Sequence, residues 1–312
     1  MLRRLISIAL LLIALAPAAR ADDKLTVLLD WFVNPDHASL FAAQYIGAYK
    51  AEGLDVTFIA PTDPSAPPGL LAAKKADLAL SYQTQLYLLA DQALPLVRVG
   101  TLIDTPLNTI TAVGDGSIKT LADLKGKKIG VSVSGMEDAL VGAMLGSAGL
   151  KESDVTIVNV NFQLVTSLLS HQVDAVIGAY RNVEVNELKQ KGVHPTVFYP
   201  EEHGVPIYDE LIVLANRSSL GDPRLPRFLA AVQRGTIYLL NHPDEIWADF
   251  IKQYPDQNTA LNKIVWDQTL TRFAKEPALL DAKRYQDFQK FLLQQGVIKT
   301  HPPLSDYAVQ LP

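Results

Sequence analysis

The sequence contains no cysteine at all. No disulfide, thiolate metal ligand or cysteine nucleophile is open to it, and no lipid can be joined to an N-terminal cysteine. Basic runs are missing too: 28 Lys and Arg stand against 33 Asp and Glu, for a formal charge of -5. That balance leaves no footprint for nucleic acid, which is not expected as a partner. The six histidines are scattered, so their spacing describes no metal site. There is no glycine-rich phosphate loop of either usual pattern, no His-Glu-x-x-His helix and no Gly-x-Ser-x-Gly elbow. Nothing here forces catalysis, and neither a metal nor a cofactor is expected.

Long apolar runs are scarce as well, and the exception is at the N-terminus. Arg3 and Arg4 precede the run Leu5 to Ala16, and Ala19-Arg20-Ala21 follows as a small-x-small site. These are the three parts of a secretory leader, with cleavage expected after Ala21. A membrane anchor needs roughly 20 apolar residues; this run is shorter and ends at Pro17. The mature chain is expected in the periplasm.

What remains alternates regularly. "KLTVLLD", "DVTFIA", "ADLALSY" and "PLVRVGTLI" read as strands separated by helical periodicities such as "HASLFAAQYIGAYKAEG" and "QTQLYLLAD". The grammar then restarts with "KKIGVSV", "DVTIVNV", "VDAVIGAY" and "PTVFYP". Short apolar strands between helices predict parallel α/β sheets with helices on both faces. "KKADLALSY" parallels "HQVDAVIGAY": in each a helix ends, an Asp opens a buried strand and a Tyr closes it. From about Asp222 only helices follow, and they cannot build a sheet of their own. We therefore expect two α/β lobes, residues 22–107 with 212–312 and residues 108–211. "LNTITAV" crosses out, "ELIVLAN" returns, and the helical tail packs on the first lobe.

Ligands of open parallel sheets gather at the carboxyl ends of the strands. The first lobe places Asp30, Trp31, Asn34 and His37 there, then Ser81 and Tyr82, then Thr105. The second places Ser132, Ser134 and Gly135, then Tyr180, Arg181, Asn182 and Glu184, with Tyr208 before the returning strand. Aromatic plates among neutral and acidic hydrogen-bonding groups suit a small, flat, polar molecule. Blander roles compete. Asp36 reads as a helix N-cap, and Ser134 with Glu137 as a capping box. Ser132 to Gly135 also read as an anion-binding helix start. His37, Tyr82 and Tyr180 read equally as packed residues, and Glu184 as an acid favoured by its helix dipole. Trp31 is expected to be a ligand plate, whereas Trp247 and Trp266 are expected in the core.

Asp30-Trp31-x-x-Asn34-x-x-His37 resembles the "D-W-x-x-N-x-x-H" signature of the thiamine-pyrimidine family. That family includes periplasmic proteins binding formylaminopyrimidine for ABC importers, and fungal pyrimidine synthases. "GAYKAEGLDV", "ADLALSYQTQ", "SIKTLADLKGKKIGVS" and "VDAVIGAYRNVE" are similar to further segments of it, and the likeness runs to about Leu220. "LADLKGKKIGVS" is also shared with nitrate, sulfonate and taurine binding proteins. The resemblance implies the type II periplasmic-binding-protein fold, closing as a monomer on its ligand and delivering it to an ABC permease. It further implies that Trp31 and tyrosines stack on a pyrimidine while Asn34 and Glu184 read its edge. Two departures stand out. Arg181 occupies a place where transporter members often carry Trp, and a cation there also admits an anionic or flavin-like ligand, or a sulfonate. Before "ELIVLAN" the sequence reads "HGVPIYD" where the synthases carry a cysteine-rich iron motif, so the chain is expected not to be an enzyme.

Overall fold

The computed structural model describes residues 22–114, 116–133 and 136–312, and the leader lies outside them. The alternation condenses into two five-stranded sheets. The first holds β1 (Asp23–Leu28), β2 (Leu54–Ile59), β3 (Leu78–Ser81), β4 (Leu96–Ile103) and β10 (Leu211–Asn216), in the order β2-β1-β3-β10-β4. The second holds β5 (Asn108–Ala112), β6 (Lys128–Val131), β7 (Thr156–Asn159), β8 (Ala175–Tyr180) and β9 (Thr196–Phe198), in the order β7-β6-β8-β5-β9.

The two orders are the same pattern. In each sheet, the strand that follows a crossover from the other lobe sits next to the edge. Those strands, β10 and β5, run antiparallel to both neighbours. The sheets are therefore mixed, where the alternation alone implied parallel ones. A strand that arrives from the opposite lobe enters its sheet from the opposite end. Leu211 already pairs with Ile103 in the first sheet, one residue before the sequence-based boundary.

The sequence likeness between the lobes has a hydrogen-bond basis. The Asp77 N–H donates to the Thr26 carbonyl while its Oδ2 accepts the Thr26 N–H at 2.8 Å. Asp174 does the same with Lys128, whose N–H lies 2.8 Å from its Oδ2. Each Asp thus ties the start of a buried strand to its parallel neighbour.

Helices α1 (Ala38–Tyr45), α2 (Ala48–Ala51), α3 (Ala66–Ala72) and α4 (Gln83–Asp91) belong to the first half, and α5 (Met136–Ser147), α6 (Leu164–Leu169) and α7 (Glu184–Gln190) to the second. The single helix expected after His37 is broken at Gly47, whose φ of +69° is a left-handed conformation that glycine adopts without strain. In the tail, α8 (Arg224–Asn241) packs on α1 so closely that a Cβ at Gly235 would lie 2.4 Å from the Ala43 nitrogen. α9 (Pro243–Gln253) joins the same core through Ile246 and Phe250.

The remaining tail helices touch both lobes. α11 (Ala282–Gln294) packs with α4 and α5 in one apolar cluster that also takes residues from both sheets, among them Leu214 and Ile177. Trp266 of α10 (Ala260–Thr269) is buried in the first-lobe core, and α10 also reaches α7 of the second lobe. Trp247 packs against Trp266 at 5.1 Å between ring centroids. Among the described residues, no helix is long and apolar enough to cross a membrane.

Candidate functional site

Where the carboxyl ends of β1, β3, β6, β7 and β8 face one another, the lobes enclose a cavity of about 350 Å³. This lies within the usual range of small-molecule sites, about 300–1,000 Å³. Its first-lobe wall begins directly after β1. Asn34, in extended conformation, accepts the Asp36 N–H on Oδ1 at 2.8 Å and so caps the turn Pro35–His37. Pro at the first position of that turn has no N–H to leave unsatisfied. The cap is Asn34, and not Asp36 as the sequence led us to expect.

Asp36 has another task. Buried at 2 % exposure, its Oδ1 accepts the Asn182 side-chain amide at 2.8 Å and the Thr269 hydroxyl at 2.7 Å. One carboxylate thereby joins the first lobe, the second lobe and the tail. Burial raises its pKa, against the lowering effect of those two bonds.

Behind the wall, His37 is fully buried and lies outside the cavity lining. Its Nδ1 accepts the Asn34 N–H at 3.4 Å, which leaves Nε2 to donate to Asp30 Oδ1 at 2.9 Å. The Tyr82 hydroxyl donates to the other Asp30 oxygen at 2.9 Å. Asp30 is held from two sides, and its imidazole neighbour is a positioning group rather than a ligand contact.

The second-lobe wall is less committed. Tyr180 lines the cavity, and its buried hydroxyl has no hydrogen-bond partner among the described residues. Burial, and then the charge of Glu210, push its pKa well above the usual phenol value. Glu184, at the first position of α7, accepts the Tyr180 N–H at 2.7 Å, and burial pushes its carboxyl up to about 7. Ser132 lines the cavity, with its hydroxyl turned to the Asn161 carbonyl. Ser134 and Gly135, and with them the capping box read there, lie outside the described residues.

Several expected contacts stand elsewhere. Arg181 directly follows Tyr180, the last residue of β8. Its guanidinium forms a two-pronged pair with Glu201, stacks 4.6 Å from the Tyr199 ring, and is absent from the cavity lining. It ties the segment after β9 to the crossover residues Leu107 and Asn108, whose carbonyls it also approaches. Glu210, fully buried on the second crossover, accepts the Leu107 and Asn108 N–H groups and is pushed up to about 7 by burial.

Asn182 is spent on Asp36, and Ser81 donates to Gln85 at 2.8 Å. Thr105 accepts from Arg272 at 3.2 Å on the first crossover. Tyr208 is fully buried against Phe288. None of these four lines the cavity.

Other lining residues were not anticipated. Phe162, after β7, meets Trp31 with ring centroids 4.6 Å apart and Phe32 at 4.3 Å. Gln257, Leu261 and Asn262 bring the tail to the rim. The lining includes the carboxylates of Asp30, Asp36, Glu184 and Glu187, and among the described residues it includes no Lys, Arg or His.

Residues 34–246 match the family model described as NMT1/THI5 like. The chain belongs to that family. It is 50% identical to a Haemophilus influenzae protein named for thiamine biosynthesis, over 93% of each chain. It is 31% identical to the formylaminopyrimidine-binding protein of Halalkalibacterium halodurans, over 86% of this chain and 84% of that one. A Uromyces fabae relative, 28% identical over 82% of this chain and 78% of its own, is named a 4-amino-5-hydroxymethyl-2-methylpyrimidine phosphate synthase. Among solved structures, the alkanesulfonate-binding protein SsuA of Xanthomonas axonopodis pv. citri superposes with a TM-score of 0.73, covering 93% of this chain and 99% of that one, at 16% identity. The fold is that of periplasmic binding proteins.

Proposed function

We propose that the protein is a non-catalytic solute-binding component of an ABC importer, working in the periplasm and closing on a thiamine-precursor pyrimidine such as formylaminopyrimidine. One observation carries the ligand class: the cavity joins aromatic rings to four carboxylates without a lining cation among the described residues. A sulfonate would bring its negative charge against those acids. An aminopyrimidine offers amino hydrogens and a ring nitrogen that a carboxyl can pair with through one shared proton. Glu184, titrating near 7, is the group suited to that pairing. Trp31 and Tyr180 supply the flat walls.

Arg181, the cation that would admit an anionic ligand, pairs with Glu201 and is not in the cavity lining, which supports the pyrimidine over an anion. Family membership and the likeness to the formylaminopyrimidine-binding protein support the same reading. Non-catalytic action is supported by His37, which is fully buried and bonded to Asp30 instead of facing the cavity.

Thermal-shift screening with native mass spectrometry tests the proposal, since a ligand that binds the folded state raises its melting temperature by mass action. Stabilisation by formylaminopyrimidine, recovered unchanged, is expected. Stabilisation by alkanesulfonates alone would exclude the pyrimidine, and conversion of the ligand would exclude a pure binding role. N-terminal sequencing of the periplasmic protein is expected to begin at Asp22.

A further inference from the structure

We propose that Phe162 is a positioning residue of this cavity: the second-lobe ring that pins the Trp31 plate and shuts the mouth over a flat ligand. The inference rests on the solute-binding reading above and adds a residue that the family signature leaves out.

Three rings meet at the cavity mouth. Trp31 and Phe32 follow β1 of the first lobe, and Phe162 follows β7 of the second. Phe162 meets Trp31 edge to face, with an interplanar angle of 73°, and lies tilted by 33° against Phe32. Such pairs add attraction beyond the apolar area they bury. Phe32, on the outside, is 51% exposed. Trp31 packs both on the first-lobe core and on the second-lobe cluster that contains Val160, Leu164 and Val165. The indole is therefore oriented by both lobes, and Phe162 is the aromatic group through which the second lobe acts on it.

The chain builds a special turn to present this ring. Asn161 sits at a φ of +50°, a left-handed conformation that Asn tolerates better than most residues. Its N–H donates to Asn159 Oδ1 at 2.8 Å, and its carbonyl accepts the Ser132 hydroxyl. The Val160 N–H, bonded to the Val131 carbonyl at 2.8 Å, anchors the turn to β6. Through this bond Ser132, itself in the cavity lining, helps to place Phe162.

A ligand stacked on Trp31 then leaves only after the Phe162 contact opens. Removing the ring speeds departure more than it slows entry, because entry begins from separated lobes. The test compares Phe162→Ala, Phe162→Leu, Asn161→Val and Asn161→Gly with the wild type.

In unliganded protein, acrylamide quenching of Trp31 is isolated by subtracting the matching Trp31→Phe variant. It is expected to rise in Phe162→Ala and in Asn161→Val, whose branched side chain opposes a positive φ, and to stay unchanged in Asn161→Gly. In stopped flow, formylaminopyrimidine is expected to dissociate about tenfold faster from Phe162→Ala and by a smaller factor from Phe162→Leu. Unchanged Trp31 quenching overturns the inference, as does a wild-type dissociation rate in Phe162→Ala. A lowered melting temperature with unmoved quenching would make Phe162 a packing residue only. If the wild type does not bind formylaminopyrimidine, the pyrimidine reading falls, while the quenching comparison still decides the role of Phe162.

Discussion

The two lobes carry the same sheet, yet they face the cavity in different states. In the first, Asp77 opens β3 and Tyr82 follows it; in the second, Asp174 opens β8 and Tyr180 closes it. Tyr82 has its hydroxyl fixed to Asp30, which His37 holds from the other side. Tyr180 has a buried hydroxyl without a partner among the described residues, and the Glu184 carboxyl that follows it is pushed up to about 7. The first wall is satisfied from within and behaves as a platform. The second wall holds polar groups whose needs a ligand can meet. A buried donor or acceptor left unpaired costs roughly 1–3 kcal/mol, so an incoming molecule that pairs it recovers part of that cost. Under the proposed function, this difference gives recognition to the second lobe and orientation to the first.

The strongest way to break this contrast is Glu184→Gln. Loss of a charge-assisted bond is expected to weaken formylaminopyrimidine binding on the order of tenfold to a hundredfold, measured by titration calorimetry. The pH dependence should change with it. A pairing that needs one proton weakens as pH rises through about 7, where Glu184 loses its own, and the glutamine variant should lose that slope. Wild-type affinity in Glu184→Gln would return this residue to its helix-dipole role.

A matched pair of hydroxyl deletions sharpens the comparison. Tyr82→Phe takes one of two partners from buried Asp30 and is expected to cost about 1–3 kcal/mol of stability, with a smaller effect on affinity. Tyr180→Phe removes a hydroxyl that has no partner among the described residues. It should leave stability unchanged or raised while binding weakens about fivefold. The reverse outcome would exchange the roles of the two walls.

The crossovers supply a pH test of the unliganded protein. Glu210 has its pKa raised from 4.5 to about 7 by burial, so the folded state holds its proton more tightly than the unfolded chain. That contribution to stability is complete below the unfolded value and is lost as pH rises through about 7. Glu210→Gln should flatten the decline in melting temperature across this window. An unchanged slope would mean that Glu210 is ionised without penalty. The smallest effect is expected at Arg181. Arg181→Gln should alter formylaminopyrimidine affinity by less than about threefold and create no new ligand preference, because its charge is held by Glu201 outside the cavity.

Much of this was legible from residue order. Strand-closing tyrosines, the aspartates ahead of them, and Trp31 after the first strand all act locally, and a local pattern records them. Asn34 both lines the cavity and caps the turn after it, and residue order alone does not separate the two roles, since capping and ligand contact ask for the same side chain. Arg181 was misplaced because adjacency to Tyr180 says nothing about facing. Phe162 and Thr269 escaped notice for another reason. Their roles arise from a turn and a tail helix meeting distant parts of the chain, 131 residues away between Trp31 and Phe162 and 233 between Asp36 and Thr269. α10 gave only the signal of an apolar face, which its packing against the first-lobe core already explains.

Under the proposed function, an acid-lined cavity with no cation among its described lining residues selects an aminopyrimidine over an anion. Titration calorimetry of the mature protein at pH 7, with formylaminopyrimidine in one series and an alkanesulfonate in the other, tests it most directly. Saturable one-to-one binding of the pyrimidine and no heat of binding from the sulfonate are the predicted results. Tight sulfonate binding with an inert pyrimidine would contradict the account.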